Sequence, residues 1–396
     1  MNIVVTSQHR YLRTPDGAVW TDGKYPYSFW TRYLAVFQRV RVVARAQPVA
    51  AAPPGAQPVT GAGVDVWPLP FVRGAHQWLT RLPAIRRAAR AAVGPRDAVM
   101  LRVPGEVACC LDTWLWRERR PYGVECVGDP RELFAPGAVR SIFRPWLLWF
   151  YPPRLRRECA GAVCAAYVTE HALQRSYPPA PGAFTTHYSS IELDDDAFAA
   201  APRCYAPDQR RFTLVFVGTL EQFYKGPDVA IDATAECARS GLDVHLRIVG
   251  DGKHRAELEQ RAHRAGVGDR VTFVGQVHGA PAVRAELDRG DLFISPSRQE
   301  GLPRAMIEAL ARALPSLGTT VGGTAELVAG EYLVPPGEVA PLAQTLRRVL
   351  GRPDELERMS RVNLEKARQY HQDVLAQRRA AMYAHLCTKT QTAFTS

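Results

Sequence analysis

The chain has 396 residues, 46% of them hydrophobic and 22% charged, with a formal net charge of +11. That length suits two domains, and that composition excludes a disordered chain. The surplus of cations calls for an anionic partner, such as nucleic acid, a membrane face or a phosphorylated substrate. It is uneven: residues 1–200 hold 24 Lys+Arg against 16 Asp+Glu, and residues 201–396 hold 26 against 23.

The first half reads as strands alternating with helices. Ile3–Thr6 is a short apolar run with no cationic start before it, so it predicts a strand and not a signal peptide. Tyr27–Val40 has helical spacing, and Val40–Ala46 and Val64–Leu69 predict strands. A basic helix is predicted at Gly74–Val93, then strands at Ala98–Val103, Gly123–Val127 and Ala162–Thr169. The longest apolar run, Trp146–Tyr151, is flanked by Arg144 and Arg154. It falls well short of the roughly 18–20 residues that span a bilayer. Ile191–Gln209, with Asp194, Asp195, Asp196, Pro202 and Pro207, marks a linker. The acidic triplet reads as a solvated turn, not as a metal motif.

The second half is cleaner. Strands are predicted at Phe212–Val217, Asp243–Val249, Val271–Val274, Asp291–Ser295 and Pro315–Gly318. Helices are predicted between and after them at Asp228–Ser240, Lys253–Ala265, Ala282–Arg289 and Arg304–Ala313. Such alternation makes a doubly wound parallel sheet, with ligands at the carboxyl ends of its strands. Two α/β domains are expected: 1–195 and 210–370, joined by 196–209. Residues 371–396 form a helical tail that can cross back to the first domain. The eight cysteines contain no C-x-x-C pair and are scattered like core residues in a reducing cytosol.

The most informative stretch is Ser297-Arg298-Gln299-Glu300-Gly301-Leu302-Pro303-Arg304-Ala305-Met306-Ile307-Glu308. It follows a buried strand and sets two carboxylates eight residues apart, one in a loop and one two turns into a helix. Gly301 permits a sharp turn close to a ligand, and Pro303 suits a helix start. The helix N-terminus then offers free N–H groups to an anion.

With Phe216-Val217-Gly218, Tyr224-Lys225-Gly226, Val249-Gly250-Asp251-Gly252, Phe273-Val274-Gly275, Pro296-Ser297 and Val321-Gly322-Gly323…Glu326, this half resembles the donor-binding domain of family 4 retaining glycosyltransferases, which have the GT-B fold. The resemblance covers about residues 212–328 and extends to the first half only in layout. It implies two Rossmann-like domains facing a cleft, and sugar transfer from a UDP- or GDP-sugar to a hydroxyl of a lipid-linked or growing glycan. On it, Lys225 contacts the pyrophosphate, Glu308 the ribose and Glu300 the transferred sugar. Gly218, Thr219, Gly250, Val277, Gly301, Leu302, Pro303 and Arg304 surround the donor. Asp129, at the end of the Glu125–Val127 strand, is a candidate at the reaction centre and equally a turn residue before Pro130. Gly23 and Lys24 occupy the place of the family's N-terminal loop. The resemblance implies no cofactor and no metal.

There are departures from the family. Thr219 stands where a phosphate-binding arginine is usual, and Pro303 and Ala313 stand where glycines are usual. Alternatives on the same fold remain open: a nucleotide-sugar 2-epimerase, a pseudo-glycosyltransferase, a natural-product glycosyltransferase or a silent binding module.

Two basic amphipathic stretches, Phe71–Arg90 and Ser141–Arg157, place Trp78, Trp146 and Trp149 among arginines. They read either as ordinary helices with a basic outer face or as peripheral contacts with an anionic inner membrane. No recognition motif accompanies the charge, so nucleic acid is not expected.

Overall fold

The protein is described from a computed structural model covering residues 1–134 and 143–394. Ser141, at the start of the second basic stretch, lies outside the described residues.

The first sheet contains β1 (Asn2–Arg13), β2 (Val19–Thr21), β3 (Arg39–Pro48), β4 (Gln57–Pro58), β5 (Val64–Leu69), β6 (Ala98–Val103), β7 (Gly123–Cys126), β8 (Cys164–Tyr167) and β9 (Phe184–His187). Its parallel body runs β5-β3-β1-β6-β7-β8-β9. β1 outruns β6, and its end pairs instead with β2, which in turn pairs with β4, both antiparallel. β6, β7 and β8 are buried along their whole length, as parallel strands covered by helices on both faces must be.

The second sheet contains β10 (Arg211–Val217), β11 (Asp243–Val249), β12 (Val271–Gly275), β13 (Leu292–Ser295), β14 (Ser316–Thr319) and β15 (Leu333–Val334). All are parallel, in the order β12-β11-β10-β13-β14-β15. Chain direction across the sheet reverses between β10 and β13, which is where a doubly wound sheet opens a crevice at its strand ends.

The helical spacing at Tyr27–Val40 does not give one helix. The helix stops at Trp30, a 3₁₀ turn follows to Ala35, and β3 begins at Arg39. Packing overrides the periodicity: Phe29, Trp30, Tyr33 and Phe37 all turn into the core, and Arg39 is already paired with Asn2. The acidic triplet is partnered: Asp194 forms an ion pair with Arg284 (3.1 Å), and Asp195 shares a hydrogen bond with His371 (3.2 Å). The segment around it is anchored by buried Ile191, Leu193 and Ala197.

The last helix, Gln372–Ala393, lies against the first sheet. Tyr383 stacks on Tyr33 with centroids 4.6 Å apart, and the N–H of Gln372 donates to the Leu193 carbonyl (2.8 Å). No helix among the described residues is long and apolar enough to cross a membrane.

Candidate active site

The carboxyl ends of β10, β11 and β12 come together as glycines. The Gly218 N–H donates to Val249 O (3.0 Å), the Gly250 N–H to Gly275 O (2.9 Å), and the Leu220 N–H to Asp251 O (2.9 Å). Gly250 has φ 135°, and a Cβ there would overlap the Gly218 carbonyl oxygen, so the two loops touch backbone to backbone. Thr219 accepts from the Glu221 N–H (3.2 Å) and so shapes the loop. Val277, beyond β12, is half-buried against the core.

Lys225 sits on a single 3₁₀ turn, Phe223–Lys225, closed by Gly226 in the left-handed region at φ 75°. A Cβ on Gly226 would overlap the Pro296 carbonyl oxygen. The turn is therefore pressed against the loop after β13. Arg298 fixes it from that loop: its N–H donates to Tyr224 O (2.7 Å), and its guanidinium donates to Phe223 O (2.8 Å) and in a fork to Asp228 (2.9 and 2.8 Å).

Held in this way, Lys225 Nζ donates to Glu300 Oε1 at 2.6 Å, and Ser297 Oγ donates to the same oxygen at 2.8 Å. Glu300 is buried, whereas Lys225 is partly open. Gly322, at φ 50°, passes so close to Glu300 that a Cβ would overlap its carbonyl oxygen. The following helix, Arg304–Ala311, has no side-chain cap at Pro303. Among the described residues the N–H groups of Leu302 and Arg304 donate no hydrogen bond. Glu308, about one turn into the helix, faces Arg304 and Arg284; burial raises its pKa above the ordinary carboxylate value, and the two arginines oppose the shift. A cation, an uncapped helix N-terminus and two carboxylates thus share one strand-end crevice, an arrangement that can hold a diphosphate and hydroxyl groups.

Residues 211–352 match the family model of glycosyl transferases group 1. The chain is 24% identical to protein CapJ of Staphylococcus aureus, over 82% of this chain and 80% of that one. It is also 24% identical to the phosphatidyl-myo-inositol mannosyltransferase of Mycobacterium leprae, over 89% of each. The solved structure of Anabaena HepE in complex with UDP and glucose superposes with a TM-score of 0.60 at 17% identity, covering 100% of this chain and 99% of that one. The second half of the chain thus carries a glycosyl transferases group 1 domain, and the chain as a whole has the GT-B fold.

In this glycosyltransferase Gly23 and Lys24 meet Leu302 and Arg304 across the gap between the two sheets. They line one cleft of about 390 Å³ together with Tyr25, Phe29, Arg32, Arg102, Glu125 and Tyr188. Asp129 is not among its lining residues. Its carboxylate caps the short helix Pro130–Leu133 through the Arg131 N–H (2.8 Å) and accepts from the Tyr177 hydroxyl. The acid that reaches across from this helix is Glu132, which accepts from the backbone N–H groups of Glu300 and Gly322. Burial, then the charges of Asp129 and Glu300, push its carboxyl up to about 8.

A second bridge between the domains is Glu326. Its carboxylate accepts from the N–H groups of Glu170 (2.6 Å), His171 (2.9 Å) and Ala172 (2.7 Å), capping a helix of the first domain. Ser297, Arg298 and Glu132 were not legible as site residues. Arg298 sits 70 residues from its partner Asp228, and Glu132 lies in the other domain from the amides it meets. The Arg298 signal was present as a cation two residues before Glu300, but nothing in the sequence assigned it a partner.

Proposed function

We propose that this enzyme transfers a sugar from a UDP- or GDP-sugar to a hydroxyl of a lipid-linked or growing glycan, with retention of configuration and without a metal. The observation that carries the reading is the Lys225–Glu300 contact (2.6 Å) at the foot of the uncapped Arg304–Ala311 helix. On donor binding Lys225 exchanges Glu300 for the pyrophosphate, and the freed carboxylate takes hydroxyls of the transferred sugar. Glu308, about one turn into that helix, takes the ribose hydroxyls. The acceptor hydroxyl attacks the anomeric carbon from the face that the diphosphate leaves, and the departing phosphate oxygen takes its proton. Charge developing on that phosphate meets Lys225 and the amides of Leu302 and Arg304. Positioned donors of this kind are each worth about 10²–10³ in rate.

Two features of the relatives support the donor and acceptor classes. HepE is described in complex with UDP and glucose, and the Mycobacterium leprae relative is named for phosphatidyl-myo-inositol. Peripheral membrane contact through the first domain belongs to the same proposal. Trp146, Trp149 and Phe143 are 49%, 72% and 58% exposed at one end of the Arg144–Ala160 helix. Arg154 on this helix turns inward to Asp112 and Glu158, so it is withdrawn from any membrane-facing charge.

The test is release of nucleoside diphosphate from a panel of nucleotide sugars with extract acceptors, products read by mass spectrometry. Acceptor-dependent release supports the proposal. Epimerised nucleotide sugar without an acceptor would point to the epimerase instead.

A further inference from the structure

The cleft between the domains holds four cations, Lys24, Arg32, Arg102 and Arg304, against one carboxylate, Glu125. One oxygen of Glu125 is committed elsewhere: Oε1 accepts from the hydroxyls of Tyr33 (2.9 Å), Tyr188 (2.9 Å) and Tyr383 (3.2 Å), which leaves Oε2 to face the cations. Arg102 is the unusual member. Its side chain is 9% exposed, and Glu125 Oε2 stands 3.6 Å from its Nε. Its guanidinium carbon lies 4.9, 4.6 and 5.6 Å from the ring centres of Tyr25, Phe29 and Trp30. Yet among the described residues the guanidinium donates no hydrogen bond, while its backbone N–H is fixed by Thr6 Oγ1 (2.9 Å).

A buried guanidinium ordinarily spends its five N–H donors on protein acceptors, because leaving them unpaired is costly. Here three rings crowd the guanidinium, which also lines the open cleft, where an oxyanion can take two parallel hydrogen bonds from it. Arg32, 12% exposed and stacked 3.6 Å over Phe29, adds a second cation on the same wall.

We infer that Arg102, with Arg32 beside it, is an anion subsite for the acceptor, which therefore carries a carboxylate or phosphate next to the hydroxyl that receives the sugar. This rests on the reading of the cleft as the acceptor site. The oxyanion belongs either to an acidic sugar or to a sugar or lipid phosphate. Both fit a guanidinium fork, and the test separates them.

The intact protein, saturated with UDP to block the donor site, is titrated by calorimetry with methyl glucoside, methyl glucuronide and glucose 1-phosphate. The wild type is expected to bind at least one anionic probe about tenfold more tightly than the neutral one, as a charge-assisted contact implies. Preference for the glucuronide assigns a carboxylate, and preference for the phosphate assigns a phosphate. R102Q should bring the probes to within about twofold of one another, R102K should keep part of the preference, and UDP affinity should hold in both. Equal binding of neutral and anionic probes by the wild type, or an undiminished preference in R102Q, overturns the inference. Should R102Q fail to fold, R32Q and a salt series on the wild type decide instead: the preference must weaken in both, and a preference unchanged in both overturns the inference. Failure to bind both UDP and GDP would fault the donor reading; where GDP alone binds, it takes the place of UDP in the titration, and nucleotide binding without anion preference faults this inference alone.

Discussion

At the scale of single residues, Lys225 is useful only if its turn is held, and Arg298 holds it. The fork to Asp228 uses two guanidinium nitrogens in one plane, a geometry that the single nitrogen of an ammonium does not have, so lysine is not a conservative replacement. Arg298→Lys and Asp228→Ala are each expected to raise the donor KM about tenfold with little change in kcat. Combined, they should cost no more than either alone, because both remove the same contact. Additive losses would show that the two act separately.

Glu132 gives a pH signature. Its carboxyl titrates near 8 in the fold against an ordinary 4.5, so the fold favours the neutral acid. Its favourable contribution is complete below about pH 4.5 and is lost as pH rises through about 8. The melting temperature of the wild type should therefore fall relative to Glu132→Gln between pH 5 and pH 9. Parallel curves would contradict the assigned environment.

At the scale of elements, the site is built by loops pressed together where only glycine fits. Gly226 sits at φ 75° with no room for a Cβ beside Pro296. Gly226→Ala is expected to cost about 1–3 kcal/mol of stability and to weaken donor binding, measured by chemical unfolding and UDP titration. Ala313 shows the opposite case: it stands where the family resemblance implies glycine and itself takes φ 55°, the left-handed conformation that favours glycine. The strand-loop-helix units of the second half were legible because the strands are short apolar runs, and those at β10, β11 and β12 end in glycine. Tyr27–Val40 misled because a helical spacing of aromatics also serves a 3₁₀ turn whose rings all point into one core.

At the scale of the whole molecule, the two domains are tied by Glu326, by Glu132 and by the last helix. Glu326 makes three bonds to main-chain amides at a helix start, a role worth about 1–2 kcal/mol. Glu326→Gln should speed hydrogen exchange at residues 170–172 while leaving β10–β14 protected. Unchanged exchange there would remove this contact as a tie. The donor half of the site could be read from sequence because its residues lie in a few short motifs. The acceptor half could not: Glu125 is bound by tyrosines 92, 63 and 258 positions away, and the Arg102 environment is assembled from separate segments. The net charge of +11 is resolved in the same terms. On the proposed reading Lys225 and Arg304 serve the donor and Arg32 and Arg102 the acceptor, while many other arginines, such as Arg154 and Arg298, are consumed by carboxylates within the fold.

On the proposed mechanism Lys225 and Glu300 together run sugar transfer from a nucleotide donor. The most direct measurement is acceptor-dependent nucleoside diphosphate release by the wild type, Lys225→Ala and Glu300→Ala, with folding of each checked by melting. Turnover by the wild type is expected, with a loss of about 10²–10³ in kcat in both variants. Wild-type turnover in both folded variants would contradict it.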